Sequence, residues 1–144
     1  MNHVPTVGTL TTVEELLAEA RAQIDRLSPA EALAAVEGGD LLIDIRPLEQ
    51  RRRDGPVPGA VVVGRNVLEW RLDPEGAHRD PGLARLDRRV ILICDEGYQS
   101  TLAAATLRRF GLDACDVVGG VQRWLADGLP LERIMPRGHR LISA

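Results

Sequence analysis

Four consecutive aliphatic residues, Val90-Ile91-Leu92-Ile93, leave no polar face. A strand with one wet side alternates apolar and polar residues, whereas a run like this must be covered on both sides, as in a parallel sheet packed between helices. The run stops at Cys94 and gives way to Asp95-Glu96-Gly97-Tyr98-Gln99, after which a helix is expected to begin near Ser100. A strand ending in cysteine, a short loop and a helix N-terminus together aim several backbone N–H groups at one sulfur. The first amides of a helix lack intrahelical partners and that end carries about half a positive charge, so a thiolate is stabilised there. The plainer alternative is a cysteine that merely closes a buried strand.

The same reading extends along the chain. Thr12-Val13-Glu14-Glu15 is a capping box, and Val13, Leu16, Leu17, Ala20, Ile24 and Leu27 then share one face of an amphipathic helix running from Thr12 to Leu27. Ser28-Pro29-Ala30-Glu31 starts a second helix, carrying Ala32, Leu33 and Val36 and closed by Gly38-Gly39. Leu41-Leu42-Ile43-Asp44-Ile45 reads as a strand ended by Pro47, and the polar stretch from Glu49 to Asp54 as loop. Ala60 to Val63 is a short strand, Asn66 caps a turn of helix through Val67, Leu68 and Trp70, and a further helical turn is expected at Leu83 to Leu86. After Cys94 come a helix through Leu102, Ala105, Leu107 and Phe110, a strand from Ala114 to Val118, the Gly119-Gly120 turn, and a helix from Val121 to Asp127. Strands alternating with helices, at connections too long for hairpins, predict an α/β domain with a central parallel sheet covered on both faces.

In such sheets the chemistry gathers at the carboxyl ends of the strands. Cys94 lies at one such end, and Asp44 and Arg46 at another, where an ion pair supporting a loop is expected. Cys115 starts its strand, on the opposite edge, and a few residues of strand separate the two edges by roughly 10 Å. No disulfide between Cys94 and Cys115 is therefore expected, and Cys115 reads as core.

Composition narrows the function classes. With 44% hydrophobic and only 3% aromatic residues, the 144-residue chain builds its core from Leu, Val, Ile and Ala. That length suits one domain. A formal net charge of −3 gives no reason to expect nucleic acid or an acidic membrane as partner. No apolar stretch approaches the roughly 20 residues of a membrane span. The start Met1-Asn2-His3-Val4-Pro5 lacks a signal-peptide pattern, so a cytoplasmic protein with free thiols is expected. His3, His78 and His139 are too scattered for a metal site, and no metal ligands or cofactor motif stand out.

The order and spacing of these pieces resemble a single-domain rhodanese, a sulfurtransferase-like domain. The likeness runs from Ser28 to Leu131. It includes Ser28-Pro29-Ala30-Glu31, the strand Leu42-Ile43-Asp44-Ile45-Arg46 followed by Glu49, Val57-Pro58-Gly59-Ala60, the Cys94 loop, and Val117-Val118-Gly119-Gly120 leading to Trp124. The resemblance implies a three-layer α/β domain over residues 28–131, flanked by an N-terminal extension with one helix (1–27) and a C-terminal tail (132–144). It further implies that Cys94 attacks the outer sulfur of a sulfane donor, holds it as a persulfide, and passes it to a thiol or cyanide. The amides of Asp95, Glu96, Gly97, Tyr98, Gln99 and Ser100 would cradle the anionic sulfur, with Gly97 at a backbone angle closed to other residues and Ser100 offering a hydroxyl. No cofactor is implied; a protein sulfur carrier is a further acceptor.

Three features depart from the family's thiosulfate-using members. Acids, Asp95 and Glu96, stand where basic side chains are usual, and they repel a dianionic donor, which points to a less charged persulfide or protein-bound sulfur. Tyr98 and Gln99 are bulkier than usual and either line the acceptor entrance or cover the loop. The N-terminal helix needs its apolar face buried, against this domain or against a second chain. Arg51-Arg52-Arg53 reads as a solvated loop from which one arginine could offset the acids; Trp70 and Trp124 read as core or groove packing. Two other functions are open to comparison. A phosphatase or arsenate reductase needs an arginine six residues after the cysteine, and Ser100 stands there. A rhodanese-like binding module without turnover is the alternative from another class.

Overall fold

The computed structural model describes residues 10–134 and 140–143. Five parallel strands make the central sheet: β1 (Arg26–Leu27), β2 (Leu41–Asp44), β3 (Val61–Val62), β4 (Val90–Ile93) and β5 (Ala114–Val117). Their order across the sheet is β1-β5-β4-β2-β3. β4 lies at the centre, in register with β2 through Leu41↔Val90 to Asp44↔Ile93 and with β5 through Val90↔Ala114 to Leu92↔Asp116. All four residues of β4 are fully buried, as an aliphatic run without a polar face requires.

Alternate residues of the strands feed two cores. On one side Leu41, Ile43, Ile45, Val90, Leu92 and Cys94 pack with Leu68, Leu72, Ala103, Ala104 and Leu107. These come from α4 (Leu68–Leu72) and α5 (Gln99–Arg108), and α1 (Val13–Arg21) lies against α5. On the other side Leu42, Ile91, Ile93, Cys115 and Val117 pack with Ala32 of α2 (Pro29–Glu37) and with Val121 and Trp124 of α6 (Gly120–Ala126). The period of two in the strands thus produces three layers. Trp124 is wholly buried and donates its indole N–H to Pro130 O at 2.9 Å.

Several helix signals hold at atomic detail. Thr12 Oγ1 accepts from Glu15 N at 3.1 Å, and Ser28 and Glu31 exchange both bonds of a capping box at 3.1 and 2.9 Å. The first helix, however, ends at Arg21 and does not run to Leu27. Arg26 and Leu27 instead pair with Asp116 and Val117 as the edge strand of the sheet. Ile24 and Leu27 kept the helical spacing by coincidence, because each is buried in a different core. The face of α1 is only half covered, since Leu17 and Ala20 are buried while Val13 and Leu16 remain exposed.

The stretch expected as loop after Pro47 is helix α3 (Leu48–Asp54). It buries no residue, so it carries no apolar periodicity, yet Leu, Glu, Gln and Arg are good helix formers. Arg65–Val67 forms a turn of 3-10 helix that runs into α4 without a side-chain cap from Asn66. Leu83 to Leu86 forms turns and bends, not a helical turn. Trp70 is 58% exposed and is no part of either core. In the segment expected as a tail, Leu131–Ile134 and Arg140–Ser143 pair antiparallel as β6 and β7. His3 and His139 lie outside the described residues.

No helix among the described residues is long and apolar enough to cross a membrane. Chain order reverses at β2, which is flanked by β3 on one side and β4 on the other. The carboxyl ends of β2 and β4 therefore splay their following segments apart and open a crevice. At the end of β2 the side chains of Asp44 and Arg46 are both buried and pair through three contacts, Nη2–Oδ2 at 2.8 Å, Nε–Oδ1 at 3.1 Å and Nε–Oδ2 at 3.2 Å. Arg46 Nη2 also donates to Gly55 O at 2.9 Å, so the pair ties the C-terminal end of α3 to the sheet. Arg46→Met strands a buried carboxylate, and urea unfolding should show a loss of about 3–5 kcal/mol. A loss below about 1 kcal/mol would mean that the pair does not hold this corner.

Candidate active site

The Cys94 loop is seated on the start of α6. Val121 N donates to Cys94 O at 2.9 Å and Gln122 N to Asp95 O at 3.0 Å, so the loop's own carbonyls take up the unpaired first amides of that helix. The approach is close enough to exclude side chains at the contact. A Cβ on Gly120, where φ is +58°, would lie 2.4 Å from Cys94 O, and a Cβ on Gly97, where φ is +86°, would lie 2.7 Å from Gly119 N. This is the physical reason for Gly120 and for the glycine inside the loop, while a Cβ on Gly119, where φ is +73°, would collide with the Arg123 side chain of α6.

The loop curls around the sulfur. Gly97 N donates to Cys94 Sγ at 3.2 Å and Ser100 N, in the first turn of α5, donates at 3.4 Å. The thiol in turn donates to Ser100 Oγ at 3.2 Å. Of the amides expected to form the cradle from Asp95 to Ser100, those of Gly97 and Ser100 thus reach the sulfur, one from a turn and one from a helix end. Cys94 is 4% exposed and forms the floor of a cavity of about 350 Å³ lined by Pro47, Gln50, Asp95, Glu96, Tyr98 and Gln99. Tyr98 and Gln99 are exposed at its rim. Asp44 and Arg46 do not line this cavity; they are buried and paired with each other at the end of β2.

The two acids of the loop are not equivalent. Asp95 Oδ1 accepts from Arg53 Nη2 at 2.6 Å and from Gln122 Nε2 at 2.9 Å. Arg53 is the arginine of the charged run that leans toward the crevice, and it also grips Asp54 at 2.7 Å. The hydrogen bond from Arg53 holds the Asp54 carboxyl below its usual range. Glu96 is exposed on the cavity wall. Glu96 is therefore the loop acid without an ion-pair partner among the described residues, while Asp95 shares Arg53 with Asp54.

Beneath the loop lies a buried group that sequence reading missed. Asp116, on β5, is fully buried. Its Oδ2 accepts from Ser100 Oγ at 2.8 Å, has Thr101 Oγ1 at 2.8 Å, and has Arg26 Nη2 at 3.2 Å, while Oδ1 takes Arg26 Nε at 2.8 Å. Arg26 and Thr101 also reach Gly97 O, each at 2.9 Å. The one available signal was a lone acid inside the otherwise apolar strand Ala114–Val117, since a buried acid requires partners.

The second cysteine differs. Cys115 lies in the core beside Ile91, at the end of the sheet away from the cavity, and both cysteines are free thiols. Burial pushes the Cys115 thiol up to about 12.

These elements in this order identify the family. A rhodanese-like domain model matches residues 28–127. The chain belongs to the rhodanese-like domain family. Among solved structures, a protein of unknown function from Rhodopseudomonas palustris, described as a possible tyrosine phosphatase, is 30% identical over 91% of this chain and 100% of that one, with a TM-score of 0.78. The polysulfide-sulfur transferase homodimer of Wolinella succinogenes is 26% identical over 85% of this chain and 89% of that one, with a TM-score of 0.63. A thiosulfate sulfurtransferase from Pseudomonas aeruginosa shares the fold at 19% identity, covering 92% of this chain and 24% of that one, with a TM-score of 0.66. Among curated proteins no sequence matches the chain. The rhodanese-like match begins at residue 28, so Arg26 reaches the site from just outside it.

The raised Cys115 value carries a pH prediction. Between its ordinary value of 9.0 and about 12 the unfolded chain releases this proton while the folded chain keeps it, so stability falls as pH rises through that window and is unaffected below it. In Cys115→Ala the fall over this window should be smaller when urea unfolding is followed as a function of pH.

Proposed function

We propose that the protein is a sulfurtransferase that carries a sulfane sulfur as a persulfide on Cys94. The observation that carries this reading is the sulfur itself: it receives two backbone N–H groups and lies at the floor of an open cavity. The thiolate attacks the outer sulfur of the donor, the Cys94 S–S bond forms, and the donor's own S–S bond breaks. With a persulfide R–S–SH the products are Cys94–S–SH and RS⁻; with thiosulfate they are Cys94–S–S⁻ and sulfite. Attack on the outer sulfur by cyanide or a thiol restores the Cys94 thiolate. Amides aimed at this point stabilise negative charge on either sulfur without any rearrangement of the protein. Family membership and the likeness to the Wolinella succinogenes transferase support the same chemistry.

A cysteine phosphatase would need a guanidinium clamping the oxyanion beside the sulfur. Position 100 is Ser, and Arg53, which reaches the loop, is engaged by Asp54 and Asp95. The reading as a binding module draws on the deep placement of Cys94 and the acid on the cavity wall; it predicts a protein that never loads sulfur.

Intact mass before and after a panel of sulfane donors decides between them. Gain of one sulfur, lost on addition of cyanide or a thiol and absent in Cys94→Ser, is the expected result. A cysteine that alkylates but gains no sulfur from any donor would favour the binding module.

The donor is a persulfide or protein-bound sulfur in preference to thiosulfate, because the unpaired charge at the entrance is negative. Since Arg53, shared with Asp54, already offsets part of the Asp95 charge, the repulsion resides mainly in Glu96. Glu96→Lys should raise thiosulfate kcat/KM by about threefold to tenfold at low salt, an effect that fades as ionic strength rises. Asp95→Arg should give less or even lower turnover, because it sets a second guanidinium against Arg53. Equal gains from both substitutions would mean that net charge alone matters and the pairing with Arg53 does not.

A further inference from the structure

Ser100 has one hydroxyl hydrogen and two buried claimants for it. In the structure it donates to Asp116 Oδ2 at 2.8 Å and turns a lone pair toward Cys94, whose S–H donates to it. That arrangement suits a thiol. Once the sulfur is negative, the same lone pair faces a charge of its own sign, and the hydroxyl must rotate to donate to the sulfur. Rotation would then leave the fully buried Asp116 Oδ2 with the longer bond from Arg26 Nη2, at 3.2 Å, as its remaining donor unless a second hydroxyl turns to it, and thin satisfaction of a carboxylate is expensive away from water.

The surroundings remove that penalty. Thr101 Oγ1 is placed between two acceptors, Gly97 O at 2.9 Å and Asp116 Oδ2 at 2.8 Å, and its hydrogen can serve either. When it turns to Asp116, Gly97 O keeps Arg26 Nη2 at 2.9 Å. Arg26 Nε holds Asp116 Oδ1 at 2.8 Å in both arrangements. Every polar group is therefore satisfied whether Cys94 is a thiol or an anion, and no heavy atom has to move.

We propose that Asp116, Thr101 and Arg26 are positioning residues that let the single Ser100 hydrogen follow the charge on Cys94. The thiol proton leaves to bulk water through the cavity, Ser100 Oγ–H swings from Asp116 to the sulfur, and Thr101 Oγ–H swings from Gly97 O to Asp116. No proton is transferred among the four side chains, so the charges of Asp116 and Arg26 stay as they are. The other ionisable groups around the sulfur are Asp95, Glu96 and Tyr98 on the loop, Arg53 on α3 and the Asp44–Arg46 pair at the end of β2. None of these hydrogen bonds to the Ser100 hydroxyl among the described residues. The purpose of the device rests on the sulfur-transfer reading, because both the attacking thiolate and the persulfide are anions.

The test follows the rate at which iodoacetamide alkylates Cys94 from about pH 6 to about pH 10, a reaction of the thiolate that needs no sulfur donor. Thr101→Val removes the substitute donor and should slow alkylation near neutral pH by about tenfold, the scale of one hydrogen bond to a charged group, while the rate at the alkaline plateau is unchanged. Thr101→Ser should restore the wild-type profile, and Thr101→Ala should match the valine variant, so the comparison does not hinge on one substitution folding well. In a Ser100→Ala background Thr101→Val should have no further effect, because the hydrogen that it redirects is gone. A Thr101→Val profile that overlays the wild type, or an equal slowing with and without Ser100, would overturn the proposal. Sulfur loading by mass is scored separately. Profiles that shift in a protein that never loads sulfur would retain the device and reject sulfur transfer; loading with unshifted profiles would do the reverse.

Discussion

The site depends on one backbone contact, the seating of the Cys94 loop on the start of α6. Two loop carbonyls accept the first amides of that helix, and the approach is so close that Gly97, Gly119 and Gly120 meet without side chains between them. A loop that is free to move could not hold two N–H groups at about van der Waals distance from a sulfur. Here the Cys94 and Asp95 carbonyls face α6, the Gly97 carbonyl faces Arg26 and Thr101, and the Gly97 and Ser100 amides face the sulfur. Seating the loop on α6 thus preorganises the cradle.

Electrostatics around the sulfur are layered in the same way. Below it, the carboxylate of Asp116 is covered by Arg26 and two hydroxyls, and at the end of β2 Asp44 is covered by Arg46. At the rim Asp95 is covered by Arg53. Asp116 and Asp44 are each neutralised by a guanidinium of their own at hydrogen-bond distance, whereas Asp95 shares Arg53 with Asp54. Charge counting along the sequence overstates the negative charge at the cavity mouth, because it assigns to Asp95 a charge that the fold has partly offset. What remains is Glu96, with no ion-pair partner among the described residues, beside an Asp95 whose guanidinium is shared with Asp54.

Much of this was legible from residue order. The aliphatic run before Cys94, the capping boxes and the glycine pair after β5 are local signals with local physical causes, and each led to the right element. The misreadings share another cause. Helix α3 has no buried face and so leaves no periodicity to read, while Ile24 and Leu27 prolong a periodicity that belongs to two different cores. Asp116 and Arg26 illustrate the limit most clearly. They lie ninety positions apart in the chain, and nothing near either one announces the other; only the pairing of β1 with β5 brings them together.

That pairing also changes where the functional unit begins. The rhodanese-like match starts at residue 28, yet the guanidinium that steadies both Asp116 and the carbonyl of Gly97 comes from residue 26. β1 is only two residues long and joins the sheet at its edge, so it contributes little apolar burial. Its contribution is directional: pairing with β5 places the Arg26 side chain beneath the Cys94 loop, where a flexible arginine from elsewhere would lose more conformational entropy to reach the same position. A fragment that began at Ser28 would retain the cavity lining and Cys94 but would lose Ile24 and Leu27 from the two cores and leave Asp116 with two hydroxyls in place of a guanidinium. The segment before residue 28 is therefore part of the site, and α1, packed against α5, anchors it.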